Sequence, residues 1–297
     1  MKVADVMTPG SAVVTVELPG TRDDALGYFK EQAFSAIPVV KEEGGTTRYR
    51  GLISRNDLIE RPDEDQLALL MDADAPTVAP DDDIADVSAT VLETGARRFP
   101  VLEGHELAGI LTVTDVVRAI AEGQADGETP VEDLARREVN TTWTGTPLGV
   151  AERELFYADT PYAVVLDDDA EMAGVLTEVD VIAVADVVEG EEDAGESIAE
   201  QDDEWMWEGI KAVGNRYFPT RNVEFPDGPV SEFMTADVET VTGTRSAREA
   251  ARVMVSEDVE QLPLVTGDRL VGVLRDVDLL RALAPAETAA AVTADGA

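Results

Sequence analysis

The chain has 297 residues, 44% of them hydrophobic, which is enough for two ordinary domains with sizeable cores and argues against disorder throughout. Its 62 acidic residues against 23 basic ones give a formal charge of −39, which argues against a role that rests on contact with a nucleic-acid backbone. Cysteine is absent and His105 is the single histidine, so no disulfide framework, thiol nucleophile or thiolate metal site can be built.

The acids run through every segment, and only Lys2, Lys30, Lys41 and Lys211 are lysines. That balance suits a solvated shell in a salt-rich cytoplasm better than an acidic surface recruiting basic partners, and it resembles proteins of salt-loving archaea. The opening MKVADVMTPG carries Asp5 and has no apolar core of signal-peptide length, which argues against export. The most apolar later run, VDVIAVADVV, is broken by Asp180 and Asp186 and is too short to span a bilayer. A soluble cytoplasmic protein without a membrane span is the expectation.

In chain order, a first unit opens with VADVMT around Met7. The run VVTV, Val13 to Val16, reads as a strand, and IPVV and RYRGLIS read as two more, joined through Gly44-Gly45 and ending in GLISRND at Asp57. A second unit opens with LALLMD around Met71. Asp81, Asp82 and Asp83 then precede Ile84, Val87 and Val91, apolar residues on one helical face behind acids that suit a helix amino terminus. FPVL and LAGILT follow as strands through Glu103-Gly104, GILTVTD closes on Asp115, and DVVRAI begins another helix.

A third unit opens with VEDLAR around Ala135, continues with YAVV and MAGVLT through an Asp-rich turn, and closes with GVLTEVD on Asp180. Residues 186 to 204 hold ten acids and read as a flexible linker or salt-exposed loop. Beyond them, EWMWEGIKAVGNRYFPTRNVEFPDGP gathers Trp205, Trp207, Tyr217, Phe218 and Phe225, and reads as a helix from Glu204 to Val213 with an extended arm. It is either a cover for the flank of the neighbouring units or, because Trp and Tyr are favoured interface anchors, a docking segment for a partner. The fourth unit opens with VSEFMT around Met234, pairs LPLV with LVGVLR through Gly267-Asp268, closes with GVLRDVD on Asp278, and enters a helix at DLLRAL.

The intervals from Met7 to Met71 and from Met71 to Ala135 are both 64 residues, and Ala135 to Met234 is 99, so four β-α-β-β-α repeats are interrupted once, before the fourth. The spans are 1–60, 61–123, 124–188 and 229–285 for the repeats, 189–228 for the acidic and aromatic insertion, and 286–297 for a tail.

The VxDhMT opening, the hPVh strand and the GhhTxxD close resemble CBS domains, which occur in tandem pairs called Bateman modules. The resemblance covers nearly all of the chain outside about 190 to 228, and extends to the gamma subunit of AMP-activated protein kinase and to archaeal four-repeat proteins. It implies an α+β fold of four repeats in two Bateman modules, units one and two forming one pair and units three and four the other, with ligand clefts between paired repeats and a disc-like arrangement of the pairs. It also implies a regulatory protein that binds an adenine nucleotide, AMP, ADP or ATP, with S-adenosylmethionine as another ligand of the class.

A ribose presents two adjacent hydroxyls that a carboxylate can accept, which suits Asp57, Asp115, Asp180 and Asp278. The hydroxyls at Ser54, Thr112 and Thr177 can donate to a phosphate beside a helix amino terminus. The same residue types at a strand-to-helix junction serve equally as helix caps, and the residues alone leave both roles open. Arg97-Arg98 stand directly before Phe99-Pro100-Val101, where the kinase gamma subunits place a His-Arg pair on nucleotide phosphates, so the resemblance makes them phosphate ligands; a solvated pair neutralising neighbouring acids is the alternative. The equivalent positions elsewhere hold Ser35-Ala36, Thr160-Pro161 and Glu260-Gln261, and the third unit has Ala163 where the others carry proline. Arg22 and Arg55 are weaker candidates.

In GVLRDVD, Arg275 replaces the small hydroxyl, and an internal ion pair with Glu260 or Asp276 that fills the fourth cleft is expected. His105 lacks the partners a metal or catalytic role needs, and Asp167-Asp168-Asp169 lacks the spacing of a calcium loop. No catalytic or metal constellation emerges, so the expectation is a non-enzymatic sensor of adenine nucleotides that requires no cofactor and signals to a protein partner or a second copy. The alternative is a docking module with degenerate clefts that works through the 205–225 segment.

Overall fold

The computed structural model describes residues 1–31, 36–54, 57–58, 61, 64–158, 160–184, 186–189, 210–213, 216–219, 221–267 and 269–285. They divide into two compact units, the first made of 1–137, 240–265 and 271–285, the second of 138–239 and 266–270.

The first repeat contributes β1 (Thr8–Pro9), β2 (Val16–Glu17), α1 (Arg22–Glu31), β3 (Ala36–Glu43) and β4 (Thr46–Ser54). The second contributes α2 (Leu67–Leu70), α3 (Ile84–Thr94), β5 (Arg98–Glu103), β6 (Glu106–Thr112) and α4 (Val113–Glu122). These strands form one six-stranded sheet in the order β1-β6-β4-β3-β2, with β5 also on β6. The expected helix behind Asp83 is α3: the Asp83 carboxylate accepts from the Ala85 amide, and Gly95 ends the helix in the left-handed conformation.

The two repeats trade their opening segments. Thr8 pairs with Ile110 on the closing strand of repeat two, while Asp72, from the opening of repeat two, bridges Leu52 on the closing strand of repeat one. Each exchange presses a backbone carbonyl against a glycine. A Cβ on Gly51 would lie 2.6 Å from the Asp72 carbonyl oxygen, and one on Gly109 would collide with that of Thr8. The glycine of each closing phrase is therefore required by a close approach of chains.

Repeat one buries Val16, Ala25, Phe29, Ile37, Val39 and Ile53, and the partner's opening segment adds Leu67 and Leu70 to that core. Repeat two shares its core with repeat four. In α4, Val113, Val116, Val117 and Ile120 recur at i, i+3, i+4 and i+7. They join a cluster that includes Ala247, Ala250, Ala251 and Met254 of α8, whose alanines let the two helices approach.

In chain order after α4 come α5 (Val131–Leu134), β7 (Thr141–Trp143), α6 (Leu148–Ala158), β8 (Tyr162–Leu166), β9 (Met172–Thr177), α7 (Glu178–Ala183), β10 (Asp186–Glu189), β11 (Ile210–Val213), β12 (Arg216–Pro219) and β13 (Arg221–Glu224). Repeat four supplies β14 (Val241–Thr242), α8 (Ala247–Glu257), β15 (Gln261–Thr266), β16 (Arg269–Arg275) and α9 (Asp276–Leu279). Within the first unit, the opening of repeat three packs on repeat four: Arg136 bridges Val273, and Val131 and Leu134 enter the shared core. Within the second unit, the opening of repeat four packs on repeat three, with Thr235 bridging Val175 and Val230 buried against Leu148, Leu155 and Leu176. Gly272 and Gly174 face the Arg136 and Thr235 carbonyls as Gly51 and Gly109 face theirs.

Three sequence expectations need correction. Of Val13 to Val16, Val16 alone is in a strand; a helical turn at Gly10–Ala12 carries the chain off the sheet before it. The helix expected from Glu204 to Val213 is a strand at Ile210–Val213, paired antiparallel with Arg216–Pro219, where β-branched and aromatic residues suit a pleated pair; the rest of that span, with Trp205 and Trp207, lies outside the described residues. The acidic linker begins with a strand, since Asp186–Glu189 pairs with Arg221–Glu224. Phe225, at the end of the aromatic segment, packs on the repeat-three core.

Candidate functional site

Strand pairing assembles the site. Arg98 lies directly opposite Thr112 in the β5–β6 ladder, and Thr8 lies opposite Ile110, two residues earlier on β6 and hence on the same face as Thr112. These residues border a cavity of about 260 Å³ within the first unit. Its polar lining includes Thr8, Arg98, Thr112 and Asp115; its apolar lining includes Val13, Val14, Ile37, Pro38 and Ile110. The cavity thus draws on both the first and the second repeat.

Each closing aspartate is a helix cap. The Thr112 amide and hydroxyl both donate to Asp115 Oδ2, at 2.9 and 2.7 Å, and the Asp115 amide donates back to Thr112 Oγ1 at 3.2 Å. Ser54 with Asp57 and Thr177 with Asp180 repeat the arrangement. Capping occupies one carboxylate oxygen of Asp115; the other, Oδ1, has Arg118 at 3.5 Å. Arg61 stands 3.3 Å from Asp57 Oδ1, while residues 55 and 56, and with them Arg55, lie outside the described residues. Arg22 donates to the Arg61 carbonyl.

The two candidate arginines part company because Arg97 precedes β5 and is held by acids of repeat four, whereas Arg98 is the first residue of the β5–β6 ladder. Arg97 turns to repeat four, where its Nη2 lies 2.6 Å from Asp276 Oδ2 and 3.2 Å from Glu260 Oε1. Burial opposes its charge, but the hydrogen bond and attraction of Asp276, with those of Glu260, outweigh it and hold the guanidinium above its ordinary value. Arg98 turns into the cavity, with no hydrogen bond or ion pair to any described residue. Burial, and then the charge of Arg97, push its guanidinium below the ordinary value, against a smaller opposing attraction from Glu260. A half-buried cation with no hydrogen bond or ion pair among the described residues, in a chain of charge −39, is open to an anion.

Around Asp278 the phrase has changed function. The carboxylate is fully buried. Arg275 donates to it from its amide and Nε at 3.1 Å and from Nη2 at 3.2 Å, and Arg136 Nε donates at 3.1 Å. The internal ion pair expected of Arg275 exists, but its partner is Asp278, because Arg97 holds Asp276 and Glu260. Sequence reading missed Thr8, which fills the slot after Met7, and Arg136, which fills the same slot after Ala135. Aligning the openings VMT and LAR would have shown a hydroxyl exchanged for a cation.

The CBS domain model matches residues 3–64, 66–122 and 230–285, more than half of the chain and corresponding to repeats one, two and four. The chain belongs to the CBS-domain family. Protein MJ1404 of Methanocaldococcus jannaschii is 26% identical over 283 residues, 95% of this chain and 62% of that protein. MJ0188 of the same organism is 32% identical over 125 residues, 41% of this chain and 45% of that protein. The chain therefore spans less than two thirds of these relatives. A solved structure of a conserved Pyrococcus horikoshii protein is 26% identical, covers 95% of this chain and 100% of its own, and superposes with a TM-score of 0.67. The crystal structure of MJ1225 from Methanocaldococcus jannaschii, at 19% identity with coverage of 95% and 99% and a TM-score of 0.63, has the same fold. Among the described residues no helix is long and apolar enough to cross a membrane, and no group of three or more acidic or histidine side chains could hold a metal ion.

Proposed function

We propose that this chain is a regulatory sensor that binds an adenine nucleotide in the cavity shared by repeats one and two. The observation that carries this reading is the Arg98 guanidinium, without a hydrogen bond or ion pair among the described residues, beside Thr8, Thr112 and Asp115 in a largely apolar cleft. Asp115 Oδ1 accepts from the ribose hydroxyls, Arg98 and the Thr112 end of α4 take phosphate, and Val13, Ile37 and Ile110 flank the base. Asp115 can cap and bind at once, since the cap uses Oδ2. Arg97 is not a ligand in this reading, and neither is Asp278, whose oxygens are taken by Arg275 and Arg136.

Ligand binding stabilises one arrangement of the paired repeats, and a protein partner or second copy reads it; no catalytic step is involved. The setting is a salt-rich archaeal cytoplasm, which the acid-rich, lysine-poor surface suits. Calorimetric titration of AMP, ADP, ATP, adenosine and S-adenosylmethionine in multimolar salt tests the proposal. Saturable nucleotide binding that Arg98→Ala weakens while adenosine binding persists supports it; absence of binding by all five refutes it.

A further inference from the structure

We infer that the cleft selects a nucleoside monophosphate over the di- and triphosphate, because Asp276 and Glu260 of repeat four withhold Arg97 from it. The inference rests on the nucleotide reading above and concerns the charge that the cleft can accept. Arg97 and Arg98 are adjacent, and each lies within the field of the other. Together they would make a doubly cationic grip for a polyphosphate. Asp276 is nearly buried and binds Arg97 through both carboxylate oxygens, at 2.6 and 3.3 Å. Glu260 adds a second acid at 3.2 Å.

The charged side chains on the described lining are then Arg98 and Asp115, which cancel. One phosphate, carrying about 1.5 to 2 negative charges at neutral pH, meets one guanidinium. Each further phosphoryl group adds negative charge with no cation left on that lining to meet it. Repeat four in this way sets the ligand of a cleft that it does not line.

The experiment is calorimetric titration of the full chain in multimolar potassium chloride without divalent cations, using adenosine, AMP, ADP and ATP. The expected order is AMP tightest and ATP weakest. Asp276→Asn releases charge from Arg97, and Glu260→Gln, at an exposed position, releases it from Arg97 and, by a weaker interaction, from Arg98; both should narrow the AMP-to-ATP affinity ratio, by on the order of five- to tenfold for Asp276→Asn and less for Glu260→Gln. Should Asp276→Asn fail to fold, Glu260→Gln decides. ATP binding as tightly as AMP to the unmodified chain, or an unchanged ratio in the folded variants, overturns the inference while leaving nucleotide binding intact. Loss of all binding, adenosine included, overturns the nucleotide reading and the inference with it.

Discussion

Replacing Asp278 by alanine should cost far more than the same change at the other three closing aspartates. The carboxylate is fully buried and takes four hydrogen bonds, from the Arg275 amide, Arg275 Nε and Nη2, and Arg136 Nε. Removing one partner of a buried pair leaves its cations uncompensated, at a cost of about 3–5 kcal/mol, and loss of the cap adds about 1 kcal/mol. The side chains of Arg275 and Arg136 are 28% and 41% exposed, so both guanidiniums can turn partly to water, which reduces the pair's share to about 2 kcal/mol and brings the expected total to about 3 kcal/mol. For a cooperative unit of this size that lowers Tm by roughly 6–12 °C. Asp57→Ala and Asp180→Ala, which remove the shared capping arrangement, should cost about 1 kcal/mol. Urea and thermal unfolding at constant high salt give the comparison. An Asp278→Ala loss no greater than that of Asp57→Ala would refute the buried-network reasoning.

Arg98→Ala should weaken AMP binding by about 1.5–3 kcal/mol and leave adenosine nearly unchanged, whereas Arg97→Ala should act mainly on stability, since it strands Asp276; paired titrations and melts separate the two. Folding should require high salt, because at about 1 M the screening length falls to roughly 3 Å and the repulsion of a −39 chain is damped; native far-ultraviolet circular dichroism in dilute buffer would contradict this. Acid should destabilise α3 in a traceable way. The Ala85 amide, then the charges of the Met1 amino group and Lys2, hold the Asp83 carboxyl below its ordinary value, so its contribution is present above the unfolded pKa near 4 and is lost as pH falls through the lower folded value. Asp83→Asn retains a good cap and should flatten that acid limb in pH-dependent melts, and an unchanged limb would assign the loss elsewhere.

The repeat architecture was legible because each unit carries its own punctuation: a turn such as Gly44-Gly45 or Gly104, a β-branched strand, and a closing aspartate, preceded in three of the four by a hydroxyl three residues earlier. These are local signals, and local signals survive in sequence. The second unit also placed α3 correctly, because Asp83 and the spacing of Ile84, Val87 and Val91 act within a single helix. What escaped was long-range. No pattern in VADVMT announces that it will pair with β6 of the next repeat, and nothing in AREAARVM states that its alanine face meets α4 across more than a hundred residues. The insertion misled because Ile210 to Val213 has enough apolar periodicity for either a helix or a strand, and a short run is decided by its pairing partner.

The same limit explains why two adjacent arginines could not be told apart. In sequence, Arg97 and Arg98 are equivalent cations; the start of β5 at Arg98 and the position of Asp276, nearly two hundred residues away, divide them into a tie between repeats and a cation on the cavity wall. It also explains why the closing phrase is a poor guide to binding. Its glycine answers to a backbone carbonyl and its aspartate to a helix amino terminus, requirements that every repeat shares whether or not it binds anything. The differences lie in the last residue of the opening phrase, Thr8 after Met7 against Arg136 after Ala135, and in the residue before the hPVh strand, Arg98 against Gln261. A hydroxyl at the first position and, at the second, a cation with no ion pair among the described residues leave space and charge for an anion beside Asp115. A cation at the first, joined by Arg275, turns the matching carboxylate of Asp278 into part of the protein's own core.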